Sequence, residues 1–191
     1  MNICLYGASS NRLEKVYLDA AYSCGKLIGE GGHTMIFGGG AQGVMGAAAR
    51  GVHENGGRVV GVAPSFFNVD GILYDQCDEF IYTETMRQRK QIMDDRSEAF
   101  ILAPGGFGSF EEFFEILTLK QLAKHNRPIA ILNTQDYYKP MEEMIEHCIC
   151  EKFAKQACRD LYRICNTPQE TMDYILHYHA EEKDIKHLKN I

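Results

Sequence analysis

The stretch "PGGFGSFEE", residues 104–112, sets three glycines, a serine and two carboxylates within nine residues. Glycines let a ligand reach bare backbone amides, and a helix starting there adds unsatisfied N–H groups and the positive end of the helix dipole. Such a turn suits a phosphate. A carboxylate beside it suits a second task, serving a bond of a phosphorylated substrate that needs a carboxylate nearby. Ser109 and Glu112 also satisfy S-x-x-E, a capping box in which hydroxyl and carboxylate satisfy reciprocal backbone donors without any ligand. Both readings stand, although the box leaves Gly105, Gly106 and Gly108 unexplained. Glu111 and Glu112 diverge by about 100° on a helix, so they do not flank one bond as a pair of glycosidase carboxylates does.

A second chemical cluster lies in "TMRQRKQIM". Met86, Arg89, Lys90 and Met93 share one side of a helix by their three-, four- and seven-residue spacing. Cations on that side mean either snorkelling at a rim or a charged ligand in a cleft. Adjacent guanidinium and ammonium groups repel unless an anion or a carboxylate sits between them, and Glu112 with a phosphate would serve.

"GGGAQGVMG" carries Gly38-x-Gly40-x-x-Gly43, the spacing of a dinucleotide turn. The next strand, "RVVGVAPS", ends without the acidic residue that would hold the ribose, which disfavours NAD. There is no G-x-x-x-x-G-K-[ST], so a P-loop is excluded. Gly43 and Gly46, followed by Ala47 to Ala49, fit close packing of a helix on a sheet equally well. The histidines show no metal spacing: His177 and His179 are two apart, and His147 with Cys148 and Cys150 lacks a zinc pattern. No metal or cofactor is expected.

The elements that must position these groups read as repeated βαβ units. "NICLYG" leads to a helix of roughly 14–29, "HTMIFGGG" to one of about 43–55, and "RVVGVAP" to an irregular stretch holding Asn68, Asp70 and Gly71. "EFIYT", "AFILAPGG" and "PIAILN" precede helices of about 85–97, 110–124 and 140–153, and "LYRICN" precedes a helix start at Thr167-Pro168. Apolar strands without alternation belong in a parallel sheet covered on both faces. The expected fold is α/β, a Rossmann-like doubly wound, mostly parallel sheet with helices on both faces, and its glycine clusters fall at the strands' carboxyl ends, where ligands bind.

The chain of 191 residues, 45% hydrophobic and 24% charged, suits one domain over 1–180 with a charged tail at 181–191, either frayed helix or disordered. A formal charge of -6 leaves no basic footprint for nucleic acid or anionic membrane. The start reads as a strand and turn rather than a leader, and seven cysteines without C-x-x-C fit a reduced cytoplasm.

Taken together, the blocks resemble the LOG family, cytokinin riboside 5′-monophosphate phosphoribohydrolases once labelled lysine decarboxylase-like. "PGGFGSFEE" is similar to the family's P-G-G-x-G-T-x-x-E, "MRQRKQIM" to M-x-x-R-K-x-x-M, and "YGASS" and "GGGAQGVMG" stand in the family's order across roughly residues 2–178. The resemblance implies catalysis by Arg89 and Glu112. It implies nucleotide contacts from Met86, Lys90, Gly105, Gly106, Phe107, Gly108, Ser109, Phe110, Glu111 and Thr118, joined by Gly7, Ser9, Gly39 and Gly40 of the first two loops. The implied substrate is AMP or an N6-modified AMP, cleaved to free base and ribose 5-phosphate by a homodimer. Ser109 stands where the family has threonine, and Arg87-Gln88 where it has His-Glu. The rival expectation is a binding module similar to molybdenum-cofactor carriers, or a nucleotide sensor, which needs the glycine loops but no Arg–Glu pair.

Overall fold

A computed structural model describes residues 1–180 and 184–189. Strand β1 (Asn2–Tyr6) and helix α1 (Lys15–Glu30) are followed by β2 (Thr34–Phe37), α2 (Gly43–Glu54), β3 (Arg58–Pro64) and β4 (Glu79–Thr83). Then come α3 (Met86–Asp95), β5 (Ala99–Leu102), α4 (Phe107–Gln121), β6 (Ile129–Leu132), α5 (Lys139–Cys150), β7 (Arg163–Cys165), α6 (Pro168–Leu176) and the short α7 (Ile185–Leu188).

The seven strands form one sheet in the order β4-β3-β2-β1-β5-β6-β7, every pairing parallel. The doubly wound fold read from the sequence is therefore present, with a sheet parallel throughout. The chain winds outward from β1 to β4, then returns to the other side of β1 as β5. Strand order reverses between β1 and β5, and in such sheets the crevice beyond the carboxyl ends at that point receives ligands. "LYRICN" supplies β7, next to β6 at one edge.

Residues of β1 alternate between two cores. Ile3 and Leu5 pack with Ala21, Cys24, Val44, Ala48 and Met172 under α1, α2 and α6, while Cys4 and Tyr6 pack with Met93, Phe113, Ile116 and Tyr138 under α3, α4 and α5. Burial on both faces explains why these strands lack polar alternation. It also pushes the thiols of Cys4 and Cys24 up to about 12, consistent with inert core residues. All seven cysteines are free thiols.

Helices α1 and α2 touch through glycine. A Cβ on Gly25 would lie 2.0 Å from the Ala48 carbonyl oxygen, and one on Gly51 would lie 2.2 Å from that of Tyr22. Backbone on both sides leaves nothing able to yield. Gly25→Val is expected to lower unfolding free energy by about 1–3 kcal/mol, read as a fall in the urea midpoint at unchanged slope.

Two local expectations are corrected. The helix placed at about Phe110 begins at Phe107 with Gly106 as its extended N-cap, and no side-chain cap is formed there. Ser109 is thus the third helical residue, its hydroxyl lying so close to Gly105 that a Cβ on that glycine would meet it at 2.1 Å. The capping box belongs to α3 instead. Thr85 Oγ1 accepts from the Gln88 amide at 3.2 Å, while Gln88 Oε1 accepts from the amides of Glu84 and Thr85 at 2.9 and 3.1 Å. Glutamine fills the N3 position of such a box as well as glutamate does.

Of the 181–191 tail, residues 181–183, 190 and 191 lie outside the described residues. The part that is described ends its helical turn on Leu188, buried against Cys158 and Leu161. Among the described residues no helix is long and apolar enough to cross a membrane.

Candidate active site

Three loops meet above the switch point. The Ala8 amide donates to the Pro104 carbonyl at 3.1 Å, and the Met45 amide to the Ala8 carbonyl at 3.1 Å, tying the turn after β1 to those after β5 and β2. Gly43 has φ +62°, and a Cβ there would lie 2.6 Å from the carbonyl oxygens of both Ala8 and Ser10. A Cβ on Gly46 would lie 1.9 Å from the Ala41 carbonyl oxygen. The last glycine of the G-x-G-x-x-G spacing is therefore explained by left-handed backbone and close approach, without a dinucleotide.

Gly106 and Gly108 behave differently, since a Cβ on either would meet nothing within 4 Å. Both border a cavity of about 720 Å³ together with Phe107, Ser109, Gly7, Ser9, Gly40, Met86, Arg89 and Glu112. The volume is within the range of small-molecule sites, about 300–1,000 Å³. The first turn of α4 opens into this space, and its amides lack helical acceptors, which makes it a candidate anion cradle.

Arg89 and Glu112 form the floor. Arg89 Nη1 lies 2.7 Å from Glu112 Oε1, both side chains being buried. Arg89 Nε donates to the Val62 carbonyl at the end of β3 at 3.1 Å. A Cβ on Gly38 would lie 2.0 Å from Arg89 Nη2, so that glycine makes room for the guanidinium. Four elements thus converge on one ion pair: β2 yields space, β3 an acceptor, α3 the cation and α4 the carboxylate. Burial pushes the Glu112 carboxyl above the usual glutamate range, and the charge and hydrogen bond of Arg89 hold it back from rising further.

Lys90 turns to another surface. Its ammonium is 2.5 Å from Glu111 and 2.7 Å from Glu115 on α4. Burial pulls its pKa down, but these two carboxylates outweigh that and raise it. Glu111, expected from the family resemblance to contact the nucleotide, pairs with Lys90 and links α3 to α4. The structure therefore separates adjacent cations: Arg89 faces the cavity and Lys90 lies outside its lining.

The remaining candidates divide in the same way. Gly105 and Gly39 sit just behind the lining, with Gly39 at φ +77° against Phe80. Phe110 is partly buried on the α5 side. Thr118 is exposed, eleven residues beyond the start of α4 and so roughly 16 Å along its axis. Phe67, Ile72 and Leu73, which add apolar side chains to the cavity lining, escaped the sequence reading. Their segment had registered only as irregular, because a lining made by an aperiodic loop leaves no spacing to detect. Among the described residues no cluster of histidine, cysteine, aspartate or glutamate forms a metal site.

Fold and site define a Rossmann-like α/β protein with a candidate anion cradle and a buried Arg–Glu pair at its switch point. Its sequence matches the family model described as possible lysine decarboxylase over residues 45–175. A cytokinin riboside 5′-monophosphate phosphoribohydrolase of Rhodococcoides fascians is 38% identical over 160 residues, covering 83% of this chain and 80% of that protein. One from Oryza sativa subsp. japonica is 33% identical over 168 residues, covering 88% of this chain and 69% of that protein. The chain belongs to this family, the LOG family. Among solved structures, the molybdenum cofactor carrier protein of Chlamydomonas reinhardtii superposes with a TM-score of 0.70 at 22% identity, covering 92% of this chain and 95% of the other. That likeness is one of fold.

Proposed function

We propose that the protein is a nucleoside 5′-monophosphate phosphoribohydrolase, cleaving AMP or an N6-modified AMP to free base and ribose 5-phosphate. The observation that carries this reading is the Arg89–Glu112 pair, buried in the same cavity as the open amides of Gly106 to Ser109. A carrier needs the cradle but no such pair. A decarboxylase working through a lysine Schiff base needs a lysine in its site, and among the described residues none lines this cavity.

In the proposed reaction the 5′-phosphate binds the α4 N-terminus and the Ser109 hydroxyl, which fixes the ribose above Glu112. The bond between C1′ and the base nitrogen breaks, its electron pair leaving with the base. Ionised Glu112 stabilises the positive charge spread over C1′ and the ring oxygen. Water then adds its oxygen to C1′, and its protons end on the anomeric hydroxyl and on the departed base. Arg89 keeps Glu112 ionised and oriented in a site where burial alone would protonate it. Met86, Phe67 and Ile72 supply an apolar wall for the base. The family resemblance implies a homodimer and the cysteine pattern a reduced cytoplasm; light scattering on the eluted protein should give the mass of two chains.

The test is incubation with AMP, N6-substituted AMP, GMP, CMP and UMP while ribose 5-phosphate release is followed. Release from at least one adenine nucleotide is expected. Tight binding of a phosphorylated ligand with no turnover of any nucleotide would sink the reading in favour of a carrier or sensor.

A further inference from the structure

We infer that Tyr137 is a positioning residue of the phosphate cradle: its hydroxyl fixes the Gly105 carbonyl and, through the planar peptide, the direction in which the Gly106 amide is offered to the anion. This rests on the reading of the cradle as a phosphate site.

Tyr137 lies between β6 and α5, on a segment that the catalytic motifs do not include. Its hydroxyl donates to the Gly105 carbonyl at 2.7 Å. In an α-helix the amide of residue 109 would donate to the carbonyl of residue 105, four positions back. Here the first bond of the ladder is one residue later, from the Phe110 amide to the Gly106 carbonyl at 3.0 Å. Gly106 is extended at φ -106° and ψ -150°, so the helix stops there. The peptide between Gly105 and Gly106 is planar, with C=O and N–H pointing opposite ways. Fixing the carbonyl on Tyr137 therefore fixes the direction of the Gly106 amide as well.

The local backbone shows that this delivery is constrained. Gln135 and Asp136 both have left-handed φ, 55° and 54°, two successive non-glycine residues in a region that costs about 1–3 kcal/mol each. Asn133 stabilises the turn, its Oδ1 accepting from the Tyr138 amide at 2.8 Å. The turn emits two tyrosines beneath the cradle. Tyr138 is buried and donates to the Ala103 carbonyl at 2.8 Å, bracing the end of β5. Tyr137 is 39% exposed and edge-on to Tyr17 of α1 at 5.8 Å between ring centroids. Its ring is thus held by packing on one side, and its hydroxyl is aimed at one acceptor.

The test compares Tyr137→Phe with the unaltered protein by calorimetric titration of AMP, ribose 5-phosphate and adenosine, together with KM and kcat for the best nucleotide. Removing the hydroxyl lets the Gly105–Gly106 peptide rotate, so the Gly106 amide is no longer held toward the anion. Binding of AMP and ribose 5-phosphate should weaken about five- to tenfold, KM should rise in step, and kcat should change less than about twofold. Adenosine binding and the thermal midpoint should hardly move, since the ring and its packing remain. Tyr138→Phe, by contrast, should lower the thermal midpoint. Equal weakening of AMP and adenosine, or unchanged binding of all three, overturns the inference. So does a protein that binds no phosphorylated ligand. If no nucleotide is hydrolysed but Tyr137→Phe still weakens only the phosphorylated ligands, the cradle role stands and the hydrolase reading falls.

Discussion

Glu112→Gln is expected to lower kcat/KM for ribose 5-phosphate release by about 10²–10³, with nucleotide affinity changed less than about threefold. The amide keeps the shape and still accepts from Arg89 Nη1, so the only loss in the transition state is the negative charge facing C1′. In the proposed reaction ground-state binding is carried by the cradle, where no atom changes. A helix-capping role would predict near-full activity, since glutamine also serves in a capping box. The structure removes that alternative because the N-cap of α4 is Gly106, so the substitution tests the charge alone. Stability should change little, because the amide still accepts from Arg89 and, unlike the carboxylate, is a neutral group in a site where burial disfavours charge. Circular dichroism and titration with AMP check that the variant is folded. Near-unaltered turnover, or binding lost along with activity, would remove Glu112 from the chemistry.

The same residue fixes the pH profile. In the proposed reaction Glu112 acts as the ionised carboxylate, and burial raises its pKa from the ordinary glutamate value of 4.5. The acidic limb of kcat/KM should therefore fall at a pH above that of an ordinary glutamate. Stability runs the other way: a carboxyl whose folded pKa is raised favours the folded state below 4.5 and loses that contribution as pH rises through the folded value.

The fold was legible because its signals are local and repeated: apolar strands, helical periods and glycines at the joins. The site was legible only where a side chain's neighbours lie on its own element. Arg89 and Glu112 stand in recognisable motifs, but their separation from Lys90 depends on how α3 packs against α4. Glu111 and Glu115 capture Lys90 across that contact, and no spacing in the sequence encodes it. The misplaced capping box has the same origin. Thr85–Gln88 and Ser109–Glu112 both fit the pattern, and what decides between them is that Ser109 lies against Gly105, inside a helix already begun at Phe107. Tyr137 was invisible because its acceptor is 32 residues away.

Gly38→Ala is expected to reduce activity on the order of a hundredfold while leaving the fold nearly as stable. The added methyl would lie 2.0 Å from Arg89 Nη2 and 3.1 Å from its Cζ, an impossible contact. The backbone at Gly38 directly follows β2, whereas the guanidinium is the far end of a long side chain, so the arginine moves. In moving it must stretch the 2.7 Å contact with Glu112 or the 3.1 Å bond to the Val62 carbonyl. Glu112 then loses the influence that offsets its burial, and its pKa rises further. The acidic limb of kcat/KM should therefore move upward in Gly38→Ala, as it should in Arg89→Gln. Because both substitutions act through one ion pair, the double variant should be little worse than Arg89→Gln alone. Additive losses would mean that Gly38 serves the substrate directly rather than Arg89. An unshifted acidic limb in both single variants would mean that Arg89 does not control the ionisation of Glu112, and the division of labour between cradle and ion pair would have to be redrawn.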